Sequence, residues 1–441
     1  MSERLAMLEL PYKPDELPGE LEGHTRPKGA PLRVAILSYR SDPKVGGQGV
    51  YVDYLSSALV EAGASVDVIS GPPYPELSGP VRLIKLPSLD LYAQPNNGHY
   101  ALRPRHLLSP TDTYEYLGHL SGKFVEPYTF GQRAFRYLKN HQHEYDVVLD
   151  NQSLSTGVLK LATKFKIPLT TIIHHPITHD LRLALDAAPD WGHRALVRRW
   201  YDFHKMQMRV ARRLPVVTCP SEHAKADIVT EFGVDPDRIT PIPLGVDQST
   251  FKPSTGTQRQ PMRLITTASA DTPLKGLHIL VEAYHQVLQT LPETELVVIG
   301  KLRKGLARTT LRKFGLEDHV QFKSDLTREE LADEFRKATI AVTPSLYEGF
   351  GLPAAEAMSC GTPVIVTDGG ALPEVAGDAG VVVPKDNPAA LSEAILQMLQ
   401  SPDYQSSIAA ACLGRAKTTF RWDTIAPRYL EFFERAIQNQ C

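Results

Sequence analysis

The feature that most limits the folds open to this chain is an alternation of short buried strands, glycine turns and helices that runs once, stops, and starts again. The first run opens with Arg33–Leu37 (RVAIL), the turn Val45-Gly46-Gly47-Gln48-Gly49, a helical pattern over about Val50–Ala62, and a strand at Ser65–Ile69. Strand, glycine turn, helix and strand in that order begin a parallel α/β sheet. Asp146–Asp150, Pro168–Ile173 and Val216–Cys219 read as further buried strands, and Ala195–Leu214 as a long helix. Residues 71–130, rich in Pro, Tyr and His, read as irregular, in part a loop over a cleft. Residues 245–262 have little apolar content and read as a linker. The alternation then resumes, with strands predicted at Arg263–Thr267, Glu295–Ile299, Val320–Phe322, Ile340–Thr343, Pro363–Thr367 and Val381–Val383. An amphipathic helix over about Thr424–Gln438 ends it.

The expected architecture is α/β: two Rossmann-like β/α/β domains over residues 31–250 and 251–421, with an interdomain cleft. A C-terminal helix over 422–441 is expected to pack back on the first domain, and residues 1–30, with Pro11, Pro14, Pro18 and Pro27, read as a flexible arm. With 441 residues, 42% of them hydrophobic, the chain can bury two cores. A formal net charge of -2 argues neither for nor against nucleic acid, so an electrostatic partner would need a local patch, and no nucleic-acid partner is expected. Cys219, Cys360, Cys412 and Cys441 are too far apart for metal-ligand spacing and read as reduced thiols. No run approaches the roughly 20 apolar residues that span a bilayer, and the N-terminus does not read as a signal, so a cytoplasmic location is expected.

The chemistry concentrates in Ser345–Glu356 (SLYEGFGLPAAE), which follows a strand and opens a helix. A glycine turn at a helix start presents backbone N–H groups and a positive dipole end, a geometry that receives phosphate. Gly349 and Gly351 permit close backbone approach, so the turn Gly349, Phe350, Gly351 and Leu352 is expected at the ligand. Glu348 and Glu356, eight positions apart, can each accept two hydrogen bonds from a vicinal diol. Lys275, in Pro273-Leu274-Lys275-Gly276, can neutralise a departing diphosphate. Asp368–Glu374 (DGGALPE) is another strand end with glycines.

Together these residues resemble the retaining glycosyltransferases of family GT4, which have the GT-B fold. The resemblance spans most of residues 32–435 and is strongest over Cys219–Asp247 and Leu274–Glu374, with EGFGLPAAEAMSCGTPVI its most specific string. It implies transfer of a hexose from a nucleotide-diphosphate sugar, with no metal and no bound cofactor. It also implies roles: Glu348 on the donor sugar hydroxyls, Glu356 on the ribose, Lys275 on the diphosphate, Gly47 approaching the phosphates from the first domain, and His174 facing the reacting sugar, with His175 the alternative. The family usually has an Arg six residues before the Lys; here that position is Ser269, which can donate a hydrogen bond but brings no charge. Lys301, Arg303 and Lys304 are the substitutes in reach by sequence. The acceptor, a glycan, a lipid-linked sugar or a small molecule, is left open.

Each feature also has a plainer reading. The turn at Gly46–Gly49 lacks the G-x-G-x-x-G spacing of dinucleotide folds, Lys275 alone would suit a solvated helix start, and His174 alone could be a strand-end histidine. Asp235-Pro236-Asp237 reads as a turn and cap, His179-Asp180 as a helix start. Arg194, Arg198, Lys205, Arg209 and Arg212 share a face of helix 194–213; this stripe reads as a solvated face, or else as a seat for anionic headgroups that would place the protein peripherally on the inner membrane face. Its apolar side, with Leu196, Trp200, Phe203, Val210 and Leu214, reads as core. The competing functions are a catalytically weakened sugar-nucleotide binder, motivated by Ser269, and an NAD(P)-dependent oxidoreductase, which would leave Glu348 and Glu356 without a task.

Overall fold

The computed structural model describes residues 29–42, 47–92, 102, 104–268, 272–303 and 305–439. Two wholly parallel sheets organise it. The first contains β1 (Arg33–Ser38), β2 (Ser65–Ser70), β3 (Arg82–Lys85), β4 (Val147–Asn151), β5 (Leu169–Ile172), β6 (Val217–Cys219) and β7 (Ile239–Pro241), in the order β3-β2-β1-β4-β5-β6-β7. The second contains β8 (Arg263–Thr267), β9 (Glu295–Ile299), β10 (Val320–Lys323), β11 (Ile340–Thr343), β12 (Val364–Thr367) and β13 (Val381–Val383), in the order β10-β9-β8-β11-β12-β13. Central strands such as β4 (VVLDN) and β12 (VIVT) are buried at every position, as expected where helices cover both faces of a sheet. Each sheet reverses its winding once, between β1 and β4 and between β8 and β11, and such a switch point opens a crevice at the strand C-termini.

The chain crosses between the two sheets twice. The crossings run side by side, with Val246 N–H donating to Phe420 O at 2.8 Å. Beyond the second, the helix Trp422–Gln438 packs on the helix Gly47–Glu61 of the first domain, and the buried Tyr51 and Tyr429 hydroxyls meet at 3.0 Å. The described residues form three cores: one on a face of each sheet, and one shared by the other faces of both sheets and the C-terminal helices.

Several elements differ from the sequence reading. Residues 71–130 are not irregular throughout: they hold β3, the helix Pro110–Leu120 and the start of the helix Glu126–His141. Pro110–Leu120 carries few apolar residues and is set by its ends, with Pro110 in the first turn and Ser109 accepting from Asp112 N–H. The predicted helix over Ala195–Leu214 is two helices, Trp191–Trp200 and His204–Ala211, joined by a 3₁₀ turn at Tyr201–Phe203. Its apolar side is core only in the second part. Val210 and Leu214 are buried, whereas Leu196 is 59% and Trp200 37% exposed. The first helix lies against the 121–124 loop, where Trp200 stacks on Phe124, and that loop is too small to cover it.

Candidate active site

The two switch points supply the loops that carry the predicted residues. In the second domain, Lys275 follows β8, Ser345–Gly351 follows β11 and Asp368–Glu374 follows β12. Backbone bonds tie these loops together: Leu346 N–H donates to Leu274 O at 2.8 Å and Ala371 N–H to Glu348 O at 2.9 Å. Two glycines allow it. Gly276, at φ 64°, lies where a Cβ would come within 1.9 Å of Pro344 O, and Gly370, at φ 68°, where one would come within 2.2 Å of Glu348 O.

Lys275 and Glu348 are brought together by this arrangement. Lys275 Nζ donates to Glu348 Oε1 at 2.6 Å, and Ser345 Oγ donates to the same oxygen at 2.8 Å. Both side chains are partly exposed. A charge-assisted pair of this kind fixes the carboxylate while leaving an ammonium that can turn to a second anion. Beside it, Gly351, at φ 105°, starts the helix Leu352–Ser359; Pro353 has no N–H and Ala354 and Ala355 donate to Gly351 O, so the N–H groups of Gly351 and Leu352 are the ones the helix itself does not use. The ring of Phe350 lies in the core against Phe420, and Leu352 packs on the same core, so these two residues offer a ligand their backbone.

Glu356 is buried within that helix, and burial pushes its carboxyl up to about 8, against the opposing charge of Arg328. At neutral pH it is therefore protonated, a donor as well as an acceptor. Arg328 is 2.9 Å from the buried Asp53 of the first domain, an ion pair across the domains.

The first domain presents β4 and β5 to these loops. His174 follows β5; its carbonyl oxygen is 2.5 Å from where a Cβ on Gly349 would lie. His174 Nε2 is 2.8 Å from Asn151 Oδ1, and the Asn151 amide donates to Ser38 Oγ. That orientation makes Nε2 the donor and leaves Nδ1 as an acceptor. Burial and the neighbouring His175 push the His174 pKa down to about 3, so its ring is neutral across the working range. His175 instead pairs with Asp180 at 2.9 Å. His179-Asp180 is thus more than a helix start: Asp180 holds His175, and His179 stacks on Tyr347.

Three further contacts close the second domain on the first. Tyr347 Oη donates to Asp227 at 2.7 Å, Ser221 Oγ to Gly349 O at 3.0 Å, and the Glu374 carboxylate accepts from the N–H groups of Glu222 and His223 at 2.9 and 2.7 Å. Sequence reasoning missed Asn151, Asp227, Arg328 and the role of Glu374, because each acts on a residue more than a hundred positions away or through a side chain of ordinary type. Gly47 starts the first helix and is open, with nothing within 4 Å of an added Cβ, whereas Gly49 is wedged against Asp42 O and Ser41 O. Ser269 and Lys304 lie outside the described residues. Lys301 is exposed and paired with Asp325 at 2.8 Å. Asp235 caps the 3₁₀ turn at Pro236–Arg238.

The sequence model for Glycosyltransferase Family 4 matches residues 45–250, and that for Glycosyl transferases group 1 matches residues 250–412. An MMP alpha-(1->4)-mannosyltransferase from Mycolicibacterium hassiacum is 43% identical, over 92% of this chain and 98% of the relative. A D-inositol 3-phosphate glycosyltransferase from Kineococcus radiotolerans is 27% identical over 93% and 96%. Among solved structures, sucrose-phosphate synthase from Thermosynechococcus elongatus superposes with a TM-score of 0.70 at 23% identity, covering 92% of this chain and all of that one. Anabaena HepE, solved with UDP and glucose, gives 0.67 at 15% identity over the same shares. These two likenesses show a shared fold.

Proposed function

The chain belongs to glycosyltransferase family 4, and from that premise we propose that it moves a mannosyl residue from a nucleotide-diphosphate sugar to a glycan, with retention at the anomeric carbon and without a divalent metal. The observation that carries the donor half is the Lys275–Glu348 pair beside the free N-terminus of the helix Leu352–Ser359, at the second sheet's switch point. Mannose and an α-(1→4) linkage rest on the 43% identical relative. An α-linked donor and an α product share one anomeric configuration, which is retention.

In this reading the diphosphate lies over the helix N-terminus and Lys275 turns from Glu348 to meet its charge as the glycosidic bond breaks. Glu348, held by Ser345, takes the sugar hydroxyls, and Glu356 the ribose diol. His174 Nδ1 accepts from a sugar hydroxyl; being neutral, the ring positions rather than titrates. The departing phosphate oxygen takes the acceptor's proton. Contacts from Tyr347, Ser221 and Glu374 hold the domains together and keep water from the activated carbon.

Turnover with GDP-, UDP- and ADP-linked mannose and glucose, followed by release of nucleoside diphosphate in the presence of EDTA, tests this. One mannosyl donor is expected to turn over with EDTA present. Lys275→Ala and Glu348→Ala are each expected to lower the rate by about 10²–10³-fold. Rates unchanged by both substitutions would remove the assignment.

A peripheral membrane seat is favoured by one observation: the helix Trp191–Trp200 exposes Trp191, Leu196 and Trp200 beside Arg198 and Arg199. Apolar side chains flanked by cations suit an anionic bilayer surface. No described helix is long and apolar enough to cross a membrane. Flotation with phosphatidylglycerol vesicles is expected to carry the protein at low salt, and Leu196→Asp to release it. Equal recovery of both variants would refute the seat.

A further inference from the structure

Next to His174, the loop between β4 and the helix Thr156–Phe165 holds two residues in a conformation that L side chains rarely adopt. Gln152 has φ 53° and Leu154 φ 48°, both in the left-handed region, and both are buried. Backbone strain of this kind persists only where the surroundings over-determine it, and it gathers at functional sites. Here the surroundings do so. The Asp150 carboxylate accepts from the N–H groups of Ser153 and Leu154 and from Ser153 Oγ, and the buried Gln207 donates to Gln152 O at 3.3 Å.

The turn at Gln152 ends a strand and puts a side chain in its place. The last rung between β4 and β5 pairs Asn151 with Ile172. At its φ, Gln152 cannot continue β4, so the chain beyond β5 runs on to His174 and His175 past the end of the neighbouring strand. The Gln152 carboxamide takes over there: its Oε1 accepts from His174 N–H at 2.7 Å, and its Nε2 donates to His175 O at 2.8 Å. A carboxamide offers the same donor and acceptor as a peptide group. The two bonds bracket the His174 Cα. The ring is held separately, by Asn151 Oδ1 at 2.8 Å from Nε2 and by the Tyr51 ring, edge-on at 4.9 Å between centroids. Asn151 and Gln152 are consecutive, so one turn sets both the ring and the backbone that carries it. His174 O lies in turn against Gly349, so the second-domain loop rests on the segment that Gln152 holds.

We propose that Gln152 is a positioning residue for transfer: its carboxamide holds His174 at the reacting sugar, acting through that histidine and not on substrate. This role rests on the reading of His174 as the residue that faces the sugar.

Two full-length variants test it. Gln152→Gly suits the left-handed φ but has no carboxamide, and Gln152→Met keeps the length of the side chain but makes neither bond. The first readout needs no substrate. The His174 ring is followed by 15N NMR of histidine-labelled protein, its signals assigned by their loss in His174→Gln. The wild type is expected to show a neutral ring with the proton on Nε2, and both variants a mixture of tautomers. The second readout is transfer to α-(1→4)-mannotriose from GDP-, UDP- and ADP-linked mannose and glucose. With the donor that turns over, both variants are expected to lower kcat by about tenfold or more and to leave the donor KM within about twofold. In a His174→Ala background, Gln152→Gly is expected to change the rate by less than about twofold, because the residue through which it acts is gone. Gln152→Gly is expected to melt above Gln152→Met, since glycine relieves the strain, so a kcat that merely follows the melting temperature would overturn the proposal. Unaltered His174 ring signals in both variants, or a full further loss in the His174→Ala background, would also overturn it. Wild-type turnover by His174→Ala would remove the reading of His174 and this role with it. Loss in His174→Ala beside unaltered turnover in both Gln152 variants would remove this role alone.

Discussion

At the level of single residues, the candidate site holds two carboxyls in different surroundings. Glu348 is held by an ammonium and a hydroxyl, whereas Glu356 is buried and held neutral. For Glu356 the folded pKa, about 8, is raised above the unfolded value of about 4.3. Between these values the folded state binds the extra proton, so its contribution to stability falls as pH rises through the window and is lowest above 8. Glu356→Gln removes the cost. Chemical unfolding of the two proteins is expected to coincide near pH 4 and to diverge above it in favour of Glu356→Gln by about 1.4 kcal/mol per pH unit, reaching several kcal/mol by pH 8. A gap that stays constant with pH would show that the carboxyl is ionised throughout.

At the scale of elements, the loop after β11 is shaped by what it must approach. Gly349 lies where a Cβ would meet His174 O at 2.5 Å, so a methyl group there holds the domains apart. Gly349→Ala is expected to cut transfer by about 10²-fold, the cost of a misplacement near 1 Å, while nucleoside diphosphate binding to the second domain is nearly unchanged. Gly414→Ala, in the helix Pro402–Thr419 with nothing within 4 Å of an added Cβ, serves as the contrast. Equal activity of the Gly349→Ala and Gly414→Ala proteins would contradict this reading of the loop. The same elements show how far the sequence could be read. The strands β1, β4, β8 and β11 were legible because strands buried on both faces are nearly continuous apolar runs. Lys275, Glu348 and the glycine turn stood out because their types and spacing suit a nucleotide-diphosphate sugar, and the fold brings Lys275 and Glu348 together. The helix Pro110–Leu120 was not, since its caps rather than an apolar stripe define it. Nor was the exposure of Leu196 and Trp200: periodicity says which face of a helix is apolar, not whether anything covers it.

At the scale of the whole molecule, two doubly wound sheets set their switch points against each other, and the final helix returns to the first domain and ties the pair together. The ion pair Arg328–Asp53 and the Glu374 cap on Glu222 and His223 join residues that no local pattern relates; only the assembled fold brings them together. In the proposed reading the second-domain loops hold the leaving diphosphate and the first-domain face admits the acceptor; retention requires that the acceptor attack from the side on which the diphosphate departs. The most direct measurement is the anomeric configuration of the product formed from an α-linked, 13C-labelled mannosyl donor in EDTA, read by NMR before any exchange. The α anomer is expected, formed by the wild type and nearly lost in Lys275→Ala. A β product, or an α product formed equally well without Lys275, would contradict it.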